Sequence, residues 1–356
     1  MVSKYLRDHI DSKKLAPGNK LPTEQELMEA LNVSRISVRK AIEELREQGD
    51  VYCVQGSGTF VSEKPRQNTI QYIPLVLPSE SANSELFEVV RGVDKCLNAN
   101  SCFPTLHFSH RNSVEELEIL RRLVEHGSRC IIIFPLNSSE NHVEYMKMVR
   151  NGVRLVFLDR LPWSVTASQV TCDNLNGGYI ATNHLLSKGY RRICFFSITK
   201  ISEATTLPQR VEGYRVALEE HGLPFDELLL SFADTGETTE ARVKRLLGGA
   251  NPPDAFFCAN DLAAIDVMQV LSGLNVAVPD QVGLVGFDNM PLLQNYPFSI
   301  TTIEQSFFNM GYEAAEIACR IVNNQLGYSV HKILPVSLVE RESTCRSKKT
   351  KTNIRV

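Results

Sequence analysis

The sequence predicts an α/β chain: a small winged helix-turn-helix at the N-terminus, then a body of doubly wound parallel sheets in two similar lobes. Three observations predict it. Within residues 21–61 a capped helix, an arginine-led helix and a glycine-tipped hairpin follow one another. From residue 71 onward, short apolar runs alternate with segments of helical spacing. The length of 356 residues exceeds what one hydrophobic core supports, so at least two domains are expected.

The head is justified element by element. Thr23 and Glu26 have the T-x-x-E spacing of a capping box, which starts a helix at Thr23, with Pro22 and Leu27 placed as its staple. Asn32-Val33-Ser34 breaks that helix, and Ser34 can cap the next. In this second helix Val38, Ala41, Ile42 and Leu45 share one apolar face. Arg35, Ser37, Arg39 and Lys40 lie off that face, near the end by which a recognition helix reaches base edges and phosphates in a major groove. Gly49 terminates the helix. Val51–Val54 and Thr59–Val61 read as two strands with residues 55–58 as their tip, where glycine lets backbone approach a groove closely. Taken singly, an exposed arginine is usually solvated and Gly-Ser-Gly is usually only a turn. The ordered set points to double-stranded DNA.

The body begins after a polar, proline-containing stretch that reads as a linker over 64–70. The apolar runs are Ile73–Leu77, Thr105–Phe108, Cys130–Phe134, Arg154–Leu158, Val170–Cys172, Ile193–Phe196, Ala255–Cys258 and Val282–Phe287, and Leu86, Val89, Val90, Val93 and Leu97 mark a helix between the first two. Buried runs separated by amphipathic helices mean parallel strands covered on both faces. Ligands in such folds bind outside the carboxyl ends of the strands, and here those ends carry Asp159-Arg160, Asp173-Asn174, Asn260-Asp261 and Asp288-Asn289. Acid and amide groups so placed fork-bond the hydroxyls of a polyol, with Arg210 as donor. The plainer alternative is that each caps the helix after it, as Asn174 and Asp261 are placed to do.

Composition excludes several classes. The hydrophobic fraction of 43% and charged fraction of 22% are those of a globular protein. No apolar run is long enough to span a membrane, and a polar helix follows Met1 directly, so no signal peptide is expected. Nine scattered cysteines without a C-x-x-C suit reduced thiols in a cytoplasm. Residues 1–66 carry a net +1 and residues 343–356 a net +5, leaving −9 for the rest of a total of −3. The near-neutral head must therefore gather its basic residues on one face, and residues 346–356 read as a disordered basic tail. There is no G-x-x-x-x-G-K-[ST], G-x-S-x-G or H-E-x-x-H, and His107 and His110 are too sparse for a metal site. Neither enzyme activity nor a cofactor or metal is expected.

Residues 4–62 resemble the DNA-binding domain of the GntR family of bacterial transcription factors. The motifs are Leu15-x-Pro17-Gly18-x-x-Leu21-Pro22-Thr23-Glu24-x-Glu26-Leu27, Val33-Ser34-Arg35-x-x-Val38-Arg39-x-Ala41-Ile42 and Gln55-Gly56-x-Gly58-Thr59-Phe60-Val61. The resemblance implies DNA contacts from Gln25, Ser34, Arg35, Ser37, Arg39 and Gly56, with Gln25 standing where many relatives carry Arg. Residues 71–345 resemble the effector domain of the LacI/GalR family, which is related to periplasmic sugar-binding proteins. The motifs include Val170-x-x-Asp173-Asn174-x-x-Gly177-Gly178, Arg210-x-x-Gly213-Tyr214, Ala259-Asn260-Asp261, Val278-Pro279-x-x-Val282-x-Leu284-Val285-Gly286-Phe287-Asp288 and Thr301-Thr302-Ile303-x-Gln305.

That second resemblance implies a periplasmic-binding-protein-like (type I) domain of two lobes joined by three crossovers. Lobe 1 would be about 71–172 with 303–330, and lobe 2 about 173–300 with 331–345. It carries effector contact onto Asp159, Arg160, Asp173, Arg210, Asn260, Asp288 and Gln305. After the first strand, relatives often read Asn-Pro-Phe-Phe, with aromatics that stack on the ligand. Asn83-Ser84-Glu85-Leu86 puts a carboxylate, Glu85, there instead. The composite is similar to the arabinose-responsive repressors of Gram-positive bacteria. The expected function is a homodimeric, ligand-responsive transcription regulator, a repressor of carbohydrate-use genes released from operator DNA by a sugar-like effector. An activator of the same build, or a response to a non-sugar effector such as a nucleoside, is the alternative.

Overall fold

The computed structural model describes residues 2–11, 15–47, 49–54, 57–62, 71–79, 85–137, 140–233 and 236–346. The chain divides into two compact units, 1–70 and 71–356. In the first, α1 (Val2–Asp11), α2 (Glu24–Leu31) and α3 (Arg35–Glu47) precede an antiparallel hairpin of β1 (Val51–Val54) and β2 (Gly58–Val61). The capping box forms reciprocally: the Thr23 hydroxyl accepts from the Glu26 N–H, and the Glu26 carboxylate accepts from the Thr23 N–H. Asn32 ends α2 at φ 49° and Gly49 follows α3 at φ 70°, the left-handed region that Asn and Gly adopt most cheaply. Val38, Ala41 and Leu45 of α3 are buried against Leu6, Leu27, Val51 and Val61.

The second unit holds two six-stranded sheets. β3 (Gln71–Leu77), β4 (Cys102–Phe108), β5 (Cys130–Ile133), β6 (Arg154–Leu158) and β7 (Ser168–Cys172) build the first. β8 (Ile193–Phe196), β9 (Leu230–Ser231), β10 (Ala255–Cys258), β11 (Gly283–Asp288) and β12 (Thr301–Gln305) build the second. β13 (His331–Leu334) then joins the edge of the first sheet in parallel, and β14 (Val336–Val339) the edge of the second in antiparallel. The orders are β13-β7-β6-β5-β3-β4 and β14-β12-β11-β10-β8-β9. Each contains the doubly wound 2-1-3-4-5 arrangement, whose strand order reverses at β3/β5 in one lobe and β8/β10 in the other.

The helices are α4 (Glu85–Ala99), α5 (Ser113–Glu125), α6 (His142–Arg150), α7 (Asn174–Ser187), α8 (Thr206–Glu220), α9 (Thr239–Leu247), α10 (Asp261–Gly273) and α11 (Phe307–Val322). α11 packs in the first lobe's core with α4, so the chain crosses between lobes at Asp173, Ser306 and Pro335. The boundaries expected at 303 and 331 shift accordingly. β12 pairs with β11 of the second lobe through Glu304, and β13 pairs with β7 of the first through Leu334, so main-chain hydrogen bonding carries each strand past the expected break. The expected linker, 64–70, and residues 347–356 of the expected tail lie outside the described residues. Arg346, placed in that tail by the sequence, instead stacks 3.8 Å from the centre of the Tyr190 ring.

Two helix pairs come together through glycine. A Cβ on Gly92 of α4 or Gly311 of α11 would run into the backbone of the other helix, and the same holds for Gly178 of α7 and Gly213 of α8. The atom that Gly178 admits is the carbonyl oxygen of Arg210. Absence of a side chain at 178 therefore fixes where Arg210 starts.

Candidate functional sites

In the head, Arg35 and Arg39 lie one turn apart at the leading end of α3. Both donate from Nε to the Glu24 carboxylate at the start of α2, at 2.8 and 3.0 Å, and each side chain is 63% exposed. These two bonds hold the Glu24 carboxyl below the usual carboxylate range. One carboxylate thus fixes the stems of two guanidinium forks whose outer edges remain exposed. Ser34 and Ser37 are close by: the Ser37 N–H donates to the Ser34 hydroxyl at 3.2 Å, and the two hydroxyls lie 2.9 Å apart. Gln25 is exposed and donates to Glu29 on its own helix at 3.2 Å. Gly56 lies outside the described residues. Ile36, between Arg35 and Ser37, is 81% exposed.

In the second unit, the carboxyl ends of both sheets open on one cleft of about 550 Å³. Glu85, Asp159 and Arg160 line it from the first lobe, and Arg210, Asn260, Asp288 and Gln305 from the second. Asp173 does not line it. It sits at the first crossover, where its side chain caps α7 by accepting from the Asn176 N–H at 3.0 Å. The neighbouring Asn174, read as a cap, is the residue tied to the cleft: its Oδ1 accepts from Arg210 Nε at 2.8 Å.

Arg210 is held on every side. Besides Asn174, its Nη1 donates to the Ala259 carbonyl, and its guanidinium lies 3.6 Å from the centre of the Phe287 ring. Its Nη2 is 3.9 Å from Asp288 Oδ1. Asp288 also accepts from Gln305 Nε2 at 2.6 Å. Burial pushes the Asp288 carboxyl well above the usual carboxylate range, with Arg210 pulling the other way. Asp159 occupies the matching strand end in the first lobe and is paired with Arg160 Nε at 3.4 Å. Arg160 also donates from Nη1 to the Leu136 carbonyl at 2.7 Å. Asp159 and Asp288 both have positive φ, 61° and 110°. Such backbone costs of order 1–3 kcal/mol and clusters at ligand sites.

Three cleft-lining residues carry a buried acceptor oxygen with no partner: Glu85 Oε2, Asp159 Oδ1 and Gln305 Oε1. At the cleft wall, Asn260 caps α10 by accepting from the Ala263 N–H at 2.8 Å. Asp261 is the first residue of α10 rather than its cap. It accepts from the Thr302 hydroxyl at 2.6 Å and the Met290 N–H at 2.8 Å, and burial pushes its carboxyl up to about 7. Among the described residues no cluster of three or more His, Cys, Asp or Glu is arranged to hold a metal ion, and no helix is long and apolar enough to cross a membrane.

Comparison with known proteins agrees with both halves. Residues 1–61 match the family described as bacterial regulatory proteins, gntR family, and residues 182–344 match the periplasmic binding protein-like domain. The chain joins a gntR-family head to a periplasmic-binding-protein-like body. The regulator is 28% identical over 348 residues to the arabinose metabolism transcriptional repressor of Geobacillus stearothermophilus, covering 94% of each chain. It shares its fold with the transcriptional regulator CelR in complex with cellobiose, with TM-score 0.68 at 24% identity over 91% of this chain and all of the other. It also superposes on the transcription regulator CcpA of Lactococcus lactis, with TM-score 0.70 at 19% identity over 78% of this chain and all of the other.

Sequence reasoning missed three parts of the regulator's cleft. Arg111 lines it just beyond β4, and Phe134 and Phe307 supply aromatic walls. Phe134 stood at the carboxyl end of an apolar run that had been recognised, so attention to strand ends alone could have found it. Phe307 follows Gln305 across a crossover whose position only the pairing of β12 reveals.

Proposed function

We propose that the protein is a sugar-responsive repressor of carbohydrate-use genes, binding operator DNA as a homodimer and released when effector enters the cleft. The observation that carries this reading is the cleft itself, with three unpartnered acceptor oxygens from Glu85, Asp159 and Gln305 beside the apolar walls of Leu86, Phe134, Met290 and Phe307. Hydroxyl groups supply the missing donors, and the C–H faces of a sugar ring cover apolar walls. The names of the similar proteins, an arabinose metabolism repressor and a regulator bound to cellobiose, support the same class of effector.

Effector acts by bridging the lobes and closing them about Asp173, Ser306 and Pro335, which lowers the affinity of the paired heads for operator. Coupling of this kind is typically ~1–3 kcal/mol. The test is a thermal-shift screen of the purified protein against sugars, including L-arabinose and cellobiose, followed by operator gel shifts with each hit. A ligand present at about a hundred times its Kd stabilises by roughly 2.7 kcal/mol. A screen in which no sugar raises Tm, or hits that leave the operator complex unchanged, would refute the proposal.

A further inference from the structure

We infer that the effector is an amino sugar, a polyhydroxylated molecule with a protonated amine, and that Glu85 is the carboxylate that receives the amine. The inference rests on reading the cleft as a carbohydrate site and narrows it.

The balance of donors and acceptors comes first. Two of the three arginines that line the cleft are engaged before any ligand arrives: Arg210 donates to Asn174 and Ala259 and approaches Asp288, and Arg160 donates to Leu136 and pairs with Asp159, while the third, Arg111, is exposed at the cleft edge. Three buried acceptors remain without donors. A ligand rich in N–H and O–H groups meets that need, whereas a phosphate or carboxylate brings only more acceptors.

Charge then separates an amine from a hydroxyl. Asp159 and Asp288 each have a guanidinium within 4 Å, at 3.4 and 3.9 Å, and Glu203 at the cleft edge has Lys200 at 3.7 Å. Glu85 forms no ion pair among the described residues. Arg111 and Arg160 favour its charge from a distance and Asp159 opposes it, while burial raises its carboxyl above the usual range. Asp288 faces it from the second lobe and opposes its charge as well. The opening turn of α4 favours a carboxylate at its first residue, but that accounts for neither the burial nor the vacant bonding capacity of Oε2. An ammonium group supplies three N–H donors and the missing counter-charge together. The volume of about 550 Å³ lies in the range of small-molecule sites.

The experiment is calorimetry on the full chain near neutral pH. It uses matched pairs, D-glucose with D-glucosamine, D-galactose with D-galactosamine and D-mannose with D-mannosamine, with the N-acetylated and 6-phosphorylated forms of each amine. In wild type, at least one amine is expected to bind roughly tenfold or more tighter than its parent sugar, because a charge-assisted bond replaces a neutral one, and N-acetylation is expected to remove the gain. Glu85→Gln is expected to bring that amine down to the affinity of its parent. The wild-type comparison decides the matter even if the variant does not fold. Parents that bind as tightly as their amines overturn the amine assignment and leave the carbohydrate reading standing. Phosphorylated forms that bind tightest also overturn it. An amine preference that survives in folded Glu85→Gln overturns the role of Glu85. A panel in which nothing binds overturns the amine assignment, and if L-arabinose and cellobiose also fail to bind it overturns the carbohydrate reading with it.

Discussion

Gln305 donates from Nε2 to the Asp288 carboxylate across 2.6 Å. The last residue of β12 is thereby tied to a cleft carboxylate, and the next residue, Ser306, begins the return to the first lobe. Asp288→Ala is expected to weaken effector binding by about 2–5 kcal/mol, the usual result of leaving a buried charged partner unpaired. The operator complex should then persist in the presence of effector. Gln305→Leu leaves Asp288 in place but cuts its link to the crossover, so it should reduce effector-driven release more than it reduces affinity. Calorimetry paired with operator gel shifts reads both quantities. Full effector affinity in Asp288→Ala would remove this carboxylate from the site.

In the head, Arg35→Ala and Arg39→Ala are each expected to weaken operator binding while leaving effector binding unchanged. Loss of a bidentate base contact costs ~1–3 kcal/mol, and loss of a phosphate contact lowers the salt slope by about one. Glu24→Ala frees both guanidiniums from their shared anchor and should blunt discrimination between operator and random DNA more than it changes total affinity. Gel shifts over a salt series separate these outcomes. Wild-type behaviour in all three variants would show that this end of α3 does not face DNA.

Much of this architecture was legible because local chemistry decided it. The Thr23–Glu26 box, the buried face of α3 through Val38, Ala41 and Leu45, and strands such as Ile193–Phe196 are set by spacing within a few residues. Asp288 was legible as an acid at a strand end, whereas Glu85 and Arg210, on α4 and α8, were placed through the resemblance of their motifs. What stayed hidden depends on partners distant in sequence. Whether Asp173 or Asn174 serves the cleft turns on Arg210, thirty-six residues beyond Asn174, while Asp173 caps α7. The lobe assignments of β12 and β13 follow from β11 and β7, not from their own composition. Nor does spacing reveal that Glu24 binds two arginines on the next helix.

The Gly178 contact makes a prediction about packing. Because the Arg210 carbonyl occupies the space a Cβ would need, Gly178→Ala must push α7 and α8 apart. Overpacking of this kind costs ~1–3 kcal/mol, and the shift should also loosen the Arg210 bonds to Asn174 and Ala259, lowering effector affinity. Gly273→Ala is the control, since a Cβ there meets nothing within 4 Å. Removing a glycine at a compatible position stabilises by roughly 0.4–1 kcal/mol through the unfolded chain. Denaturant melts that show equal stability for the two variants would contradict the close approach of the helices.

Asp261 makes the stability of the second unit depend on pH in a direction opposite to that of a salt-bridged carboxylate. It is fully buried beneath Thr302 and Met290, with Arg341 and Arg210 only partly offsetting its desolvation, and its carboxyl is pushed up to about 7 from an ordinary value of 3.8. Below about pH 4 it is protonated in folded and unfolded chains alike and contributes nothing. Between about 4 and about 7 the unfolded chain releases the proton while the folded chain keeps it, so stability falls as pH rises, and above that window the loss is complete. A shift of this size corresponds to a loss of about 4 kcal/mol. Asp261→Asn keeps the acceptor for the Met290 N–H and lets the Thr302 hydroxyl turn to accept from the new amide, with no proton to lose. The variant should therefore match wild type at about pH 4 and exceed it increasingly up to pH 8, with a flatter stability curve between. Chemical denaturation at each pH gives the two curves. Parallel curves would mean that Asp261 is already ionised in the folded protein at pH 5 and that its burial is compensated by the groups around it.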